Sequence, residues 1–275
     1  MGLLDRNLEI KTPEQIDLMR RAGLLVGQTL ELLREATRAG VTTGELDRLA
    51  EDHIRSRGGV PSFKGYSHPP FPATICASVN DEVVHGIPGS RELVDGDVIS
   101  IDCGAIVEGW HGDAAITVAV GEVREEVAEL MRVTEDALWA GIGAARLSGR
   151  VSDISRAVET TVRSRGDYGI LEDYVGHGIG SQMHMPPNVP NVQRRGDRGP
   201  KLVPGLALAV EPMVTLGTSE TDVLDDDWTV VTADGSLSAH FEHTFTLTSD
   251  GAWVLTALDG GEARLAALGV PYGGR

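Results

Sequence analysis

Two sequence echoes at almost the same spacing constrain the fold of this chain more than any other feature. GELDRLAEDHIRSRG, ending at Gly58, is echoed by SDISRAVETTVRSRG, ending at Gly166, an offset of 108 residues. LVDGDVISID, ending at Asp102, is echoed by LVPGLALAVE, ending at Glu211, an offset of 109 residues. One echo is compatible with chance, but two at nearly one offset indicate an internal duplication.

Each half is predicted to contain two helices followed by strands. TPEQ, starting at Thr12, offers an N-cap threonine, a proline at the first helical position and a glutamine that closes a capping box. Gly40 is a plausible stop for this helix. Thr42 and Glu45 form a second capping-box pattern, which predicts the next helix.

The strand patterns indicate an α+β fold with a mainly antiparallel sheet. DVISIDCGAIVEGWHGDAAITVAVG predicts a hairpin with its turn at EGWHGD. LALAVEPMVTLG and HFEHTFTLTSDGAWVLT predict strands separated by the acidic excursion TSETDVLDDDWTVVTADGS, and PNVPNVQRRGDRGPK predicts a loop. No linker divides the chain, so we expect a single domain of two duplicated halves, about 12–121 and 122–256.

Composition excludes several classes of partner. The net charge is −17 and the pI is about 4.8, which does not suit a phosphate backbone, so no direct nucleic-acid partner is expected. No apolar run approaches the length of a membrane span, so no membrane partner is expected. MGLLDRNLEIKTPEQ contains no apolar signal core. Two cysteines, Cys76 and Cys103, indicate a reducing compartment, and we expect a cytoplasmic protein.

Four acids are predicted to meet near the centre of the duplicated fold. Asp102 ends an apolar run, where burying a carboxylate costs free energy, and Asp113 lies across the hairpin. Glu211 takes the place of Asp102 in the second half, and Glu242 before HTFTLT resembles Asp113 before AAITVA. Four close carboxylates repel unless cations neutralise them. Oxygen and imidazole ligands suit Mn, Fe, Co or Zn, and two such ions about 3.5–4 Å apart suit hydrolysis.

HGIGSQMH, from His177 to His184, contains two histidines seven residues apart. A helix would not bring them onto one face, and a regular strand would put them on opposite faces. We therefore expect an irregular segment that positions them separately, with His177 on metal and His184 on substrate. The pattern alone does not select one histidine from the eight in the chain, and a structural role is the alternative for each.

Over nearly its whole length the chain resembles the type I methionine aminopeptidases of the pita-bread metallopeptidase superfamily. The matching stretches are TPEQIDLMRRAG, GVTTGELD, ICASVNDEVVHGIP, GDVISIDCGAIVEGWHGD, GHGIGSQMH, AVEPM and DGSLSAHFEHT. The resemblance implies a pseudo-two-fold fold, with a curved antiparallel sheet flanked by helix pairs. It also implies hydrolysis of the initiator methionine from nascent proteins and peptides with a small second residue, using two divalent ions (Co, Mn, Fe or Zn).

The resemblance also assigns roles at the metal site. It implies five metal ligands: Asp102, Asp113, His177, Glu211 and Glu242. In this assignment Asp102 binds one ion, and Asp113 and Glu242 bridge the two ions. His177 and Glu211 complete the ligands of the other ion. A water between the ions would be the nucleophile, with Glu211 taking up and delivering protons. His85 would contact the substrate amide nitrogen, and His184 would stabilise the carbonyl oxygen as charge develops.

The methionine pocket is also assigned by resemblance. Aromatic and sulfur side chains suit a flexible thioether. The matching positions are Phe63, Tyr66, Cys76, Met183 and Trp228. Phe71 is left out, because SHPPFPATIC is one residue longer than the family pattern. Core packing is the alternative for each aromatic residue, and no partner pattern marks Cys76 as a nucleophile.

The implied substrates are the N-termini of nascent polypeptides, and the ribosome is a further partner that the resemblance allows. Contact with the ribosome would come from the domain itself, since no zinc-binding or proline-rich extension precedes it, and a monomer is expected.

One alternative is a prolidase or aminopeptidase P, which would share the metal set. Such enzymes usually carry an added N-terminal domain, for which a helix starting at Thr12 leaves no room. The other is a non-catalytic binding protein on the same scaffold, which would not bind two divalent ions.

Overall fold

The computed structural model describes residues 8–275. The prediction that the N-terminal stretch contains no signal core rests in part on residues 1–7, which lie outside the described residues. The described chain combines helices with antiparallel sheets, so the predicted α+β class is confirmed. None of its helices is long and apolar enough to cross a membrane.

Both predicted capping boxes are confirmed at the starts of their helices. The helices are α1 (Pro13–Ala36), α2 (Thr43–Ser56), α3 (Glu125–Ala144), α4 (Val151–Arg165) and α5 (Glu262–Ala267). The Thr12 side chain caps α1 and the Thr42 side chain caps α2, each with a reciprocal bond from the residue three positions on. Helix α1 ends before Gly40, because Thr37 adopts extended backbone and its hydroxyl donates to the Leu33 carbonyl at 2.7 Å.

The main sheet has nine strands and is antiparallel at every pairing. Its order is β1-β4-β5-β14-β9-β7-β8, with β2 added to β4 and β15 added to β14. These strands are β1 (Val60–Pro61), β2 (Ile75–Val79), β4 (Val98–Val107), β5 (Trp110–Ala119), β7 (Gly176–Gly178), β8 (Met185–Val189), β9 (Ala207–Val210), β14 (Glu242–Leu247) and β15 (Ala252–Val254).

Two small sheets account for segments that the sequence pattern misassigned. One contains β6 (Gly169–Ile170), β10 (Met213–Thr215) and β13 (Ser238–His240); the other contains β3 (Glu82–Val84), β11 (Thr221–Val223) and β12 (Val230–Thr232). The acidic excursion therefore includes two strands, because β12 pairs with the distant strand β3.

The segment predicted as a loop from PNVPNV onward begins inside β8, which pairs with β7.

The predicted hairpin is confirmed, with a shorter turn than expected. Strands β4 and β5 pair from Val98↔Ala119 to Val107↔Trp110. Only Glu108 and Gly109 form the turn, both at positive φ (50° and 83°). Two such residues match the right-handed twist of the strands, so the rest of EGWHGD belongs to β5.

Helix α1 covers one face of this hairpin at very short range. A Cβ added to Gly112 would lie 2.7 Å from the Gly23 nitrogen of α1. Successive side chains of a strand point to opposite faces. Asp113 therefore faces away from the helix, on the side of the sheet left for a site.

Candidate active site and metal centre

A small residue on β5 lies between acids from two neighbouring strands. Ala115 pairs with Asp102 of β4 on one side and with Glu242 of β14 on the other. Asp113 lies two residues before Ala115 and so shares its face of the sheet. The sheet register thus gathers three of the predicted acids around a methyl group.

The adjoining strands complete the cluster. Glu211 directly follows β9, and His177 lies in β7. His177 Nε2 is 3.5 Å from Glu211 Oε1 and 4.0 Å from Asp113 Oδ2. Ligand atoms of Asp113, His177 and Glu242 all lie within 4.8 Å of one another. The five predicted metal-ligand residues line one cavity of about 280 Å³.

Burial makes this cluster electrostatically unfavourable without a cation. Burial raises the pKa of Asp102 to about 7. Burial, followed by the charges of Glu242 and Asp102, raises the pKa of Asp113 well above its usual value. Burial and the neighbouring acids likewise raise the pKa of Glu211 and Glu242 well above the usual range. Ionised carboxylates at this depth require a compensating positive charge.

The residues present fit a divalent metal. Asp102 Oδ1, Asp113 Oδ1 and Glu242 Oε1 are buried, and none has a hydrogen-bond partner in the described part of the chain. His177 Nδ1 is 3.0 Å from the Gly178 carbonyl oxygen, to which it can donate, leaving Nε2 as a ligand atom. Burial lowers the pKa of His177 to about 3, so the imidazole is neutral as metal binding requires.

Sequence reasoning missed His240. Its ligand atom lies within 4.8 Å of those of Glu211 and Glu242. Its Nε2 is 3.9 Å from Glu211 Oε2, is buried, and has no hydrogen-bond partner within residues 8–275. A period-two argument from Glu242 was the available signal, because side chains two apart on an extended segment share a face.

The two histidines of HGIGSQMH, His177 and His184, lie in contact with each other. The rings of His177 and His184 are in edge contact, with centroids 4.3 Å apart. The connecting segment bends, as predicted, between β7 and β8. Glu9 fastens it by accepting hydrogen bonds from the backbone and hydroxyl of Ser181. The irregular segment therefore brings both rings to the same cavity.

All predicted pocket residues line this cavity, and so does Phe71, which was left out of the predicted pocket. The lining includes Phe63, Tyr66, Phe71, Cys76, Met183 and Trp228. Phe63, Phe71 and Met183 belong to one buried apolar cluster, against which Trp228 packs. The ring of Phe71 meets that of Trp228 edge-on, with centroids 5.1 Å apart.

His85 also lines the cavity. Its ring lies edge-on to Trp228 and Tyr174, each at 5.8 Å between centroids. Burial lowers the pKa of His85 to about 4, so the imidazole is neutral and can donate one hydrogen bond and accept another. Cys76 pairs with Asp102 across β2 and β4, and burial raises the pKa of its thiol well above the usual value.

Comparisons with known proteins agree with this geometry. The model of metallopeptidase family M24 matches residues 17–249. A methionine aminopeptidase of Clostridium acetobutylicum is 52% identical over 248 residues, covering 90% of this chain and 98% of the relative. The crystal structure of a methionine aminopeptidase from Thermotoga maritima matches with a TM-score of 0.87 and 40% identity, covering 91% of this chain and 99% of that one.

A prolidase from Pyrococcus furiosus shares the fold. Its structure matches with a TM-score of 0.72 and 20% identity, covering 92% of this chain and 66% of the prolidase. At that identity the likeness concerns the fold alone.

Proposed function

Because the chain belongs to metallopeptidase family M24, among its type I methionine aminopeptidases, we infer that it removes the initiator methionine from the N-terminus of proteins and peptides in a metal-dependent reaction. Its fold is the pita-bread fold expected from the sequence. The observation that carries this conclusion is the cluster of buried acids and one histidine in a cavity that also contains an apolar pocket.

Divalent metal would be held by the five clustered side chains: Asp102, Asp113, His177, Glu211 and Glu242. The buried oxygens of Asp102, Asp113 and Glu242 that have no hydrogen-bond partner among residues 8–275 support this assignment. When bound, the ions supply Lewis-acid chemistry that activates water and polarises the scissile carbonyl. Glu211 borders the cluster and can carry protons between water and the leaving amine.

Substrate would lie between the acids and the apolar cluster. The methionine side chain would fill the space lined by Phe63, Phe71 and Met183, with Trp228 at its edge. His85 would contact the substrate amide nitrogen, and His184 would donate to the carbonyl oxygen. Crowding near the scissile bond would restrict the second residue to small side chains.

The wider organisation is proposed on the same premise. The chain would be one catalytic domain of two related halves, 12–121 and 122–256, which meet where β5 pairs with β14. It would act in the cytoplasm as a monomer on nascent chains, near the ribosome, because its substrates are N-termini of new proteins.

Peptide cleavage tests the function. Metal-loaded protein is incubated with Met-Ala-Ser, with Gly-Pro, and with Met-Ala-Ser plus a chelator. We expect release of methionine that the chelator abolishes, and no cleavage of Gly-Pro. Cleavage of Gly-Pro would instead indicate a prolidase. No cleavage of either peptide by a protein that fails to bind two divalent ions would indicate a binding protein.

A further inference from the structure

One pocket residue makes a contact that packing against methionine does not explain. The Tyr66 hydroxyl oxygen lies 2.7 Å from Nδ1 of His184. Their rings are tilted at 59°, with centroids 5.2 Å apart. Tyr66 is 37% exposed and does not belong to the apolar cluster of Phe63, Phe71 and Met183. Its closest polar contact is therefore with a histidine.

The loop fixes Tyr66 through its backbone. The Tyr66 N–H donates to the Phe63 carbonyl at 2.9 Å, and the Phe71 N–H donates to the Tyr66 carbonyl at 2.9 Å. The Gly65 N–H adds a bond to the Phe71 carbonyl at 2.8 Å. The backbone of Tyr66 is thus held by residues of the apolar pocket, which fixes the point from which its side chain extends.

The chemistry of the pair sets the direction of the hydrogen bond. Burial and the charge of Asp113 raise the pKa of Tyr66, so the phenol keeps its proton. A neutral imidazole has one donor nitrogen and one acceptor nitrogen, so Nδ1 of His184 can accept a hydrogen bond. A phenol is the better donor and an imidazole nitrogen the better acceptor, so the Tyr66 O–H donates to His184 Nδ1.

We propose that Tyr66 is a positioning residue that holds His184 in the tautomer protonated on Nε2. This inference rests on the proposed function, in which His184 donates to the substrate carbonyl. A histidine with its proton on Nδ1 would face Tyr66 with that proton and offer a lone pair at Nε2, which cannot stabilise an oxyanion. Edge contact with His177 also restricts the ring of His184.

Tyr66→Phe tests the proposal, because it keeps the aromatic ring and removes the hydroxyl. We expect kcat to fall about tenfold, the scale of one lost hydrogen bond. KM for Met-Ala-Ser should stay within about twofold, because the loss falls on the transition state. A residue that only lined the methionine pocket would instead raise KM and leave kcat unchanged. Wild-type kcat in Tyr66→Phe would overturn the proposal.

A double-mutant cycle tests whether the effect passes through the histidine. His184→Ala should lower kcat by about 10²–10³ while metal content holds. In that background Tyr66→Phe should have no further effect on kcat. Equal losses with and without His184 would overturn the proposal. Tyr168→Phe is the matched control, since Tyr168 packs against the main core outside the cavity, and its kcat should match wild type.

A spectroscopic measurement separates this inference from the proposed function. Two-bond ¹⁵N–¹H spectra of the Zn²⁺-loaded protein report the tautomer of each histidine, and His184→Ala identifies the signals of His184. We expect the Nε2–H form in wild type and its partial loss in Tyr66→Phe. An Nδ1–H form in wild type would overturn the proposal. A wild type that releases no methionine would contradict the function alone, because these spectra do not depend on turnover.

Discussion

At the scale of single residues, Ala115 explains how the acids can lie so close together. It stands between Asp102 and Glu242 in three adjacent strands, and its side chain is only a methyl group. A larger residue would fill the space in front of the acids. The carboxylates are therefore separated by room in which cations can lie.

Replacing either flanking acid by its amide should remove most activity. For Asp102→Asn and Glu242→Gln we expect kcat/KM to fall by at least about 100-fold, since loss of even an indirect metal partner costs 10–100-fold. Steady-state cleavage of Met-Ala-Ser, with metal content measured in parallel, checks this. Asp52→Asn makes the same chemical change on the exposed side of α2 and should be neutral. Near-normal turnover in either site variant would contradict the dinuclear assignment.

Site residues could be predicted where the neighbouring sequence marks them, and were missed where their place depends on distant parts of the chain. Asp102 and Glu211 stood out because each ends an apolar run in one of two echoing stretches of sequence. His240 and Phe71 did not, because a position two residues before Glu242 does not by itself mark a site residue, and because the place of Phe71 depends on how its loop folds against distant parts of the chain. Nothing in the sequence near Tyr66 indicated its bond to a residue 118 positions away.

At the scale of elements, predictability followed the same rule. The starts of α1 and α2 depend on residues three positions apart, and both were predicted. The β4–β5 hairpin has a two-residue turn and was predicted too. Strands β11 and β12 were missed, because the second partner of β12, strand β3, lies far away in the chain. Short polar strands acquire their identity from such pairings.

The close contact of α1 predicts a position where alanine is unfavourable in a helix. A Cβ added to Gly23 would overlap the carbonyl oxygen of Leu255. Alanine favours a helix by about 1 kcal/mol over glycine, but overpacking against backbone costs about 1–3 kcal/mol. We therefore expect Gly23→Ala to lower the free energy of unfolding, as measured by urea denaturation.

The matched control is a helical glycine with flexible neighbours. At Gly143 in α3 an added Cβ would meet only side-chain ends, the nearest being Leu268 Cδ1 at 3.3 Å. Gly143→Ala should be neutral or slightly stabilising. Equal stability of the Gly23→Ala and Gly143→Ala proteins would show that α1 can move away from the sheet.

At the scale of the whole molecule, metal binding should stabilise the fold. The acids of the site belong to strands from both parts of the chain, and burial raises the pKa of each. An ion that binds only the folded state adds about 2.7 kcal/mol at a concentration of 100 Kd. We expect Mn²⁺ or Zn²⁺ to raise Tm in a concentration-dependent way and chelation to reverse it, measured by calorimetry.

The stabilisation should depend on the site acids. Glu242→Gln should reduce the metal-induced rise in Tm, while Asp52→Asn should retain it. An equal rise in Tm in Glu242→Gln would mean that the ions stabilise the protein from elsewhere on its acidic surface.

The pairing of β5 with β14 also sets the moment at which the enzyme becomes competent during its own synthesis. The Asp113 N–H donates to the Thr244 hydroxyl, which donates back to the Asp113 carbonyl, across 131 residues of chain. Until the ribosome has made β14, a growing copy lacks Glu242 and the strand that closes the centre of the sheet. A methionine removed from that copy while it is still being translated must be removed in trans, by a molecule already finished.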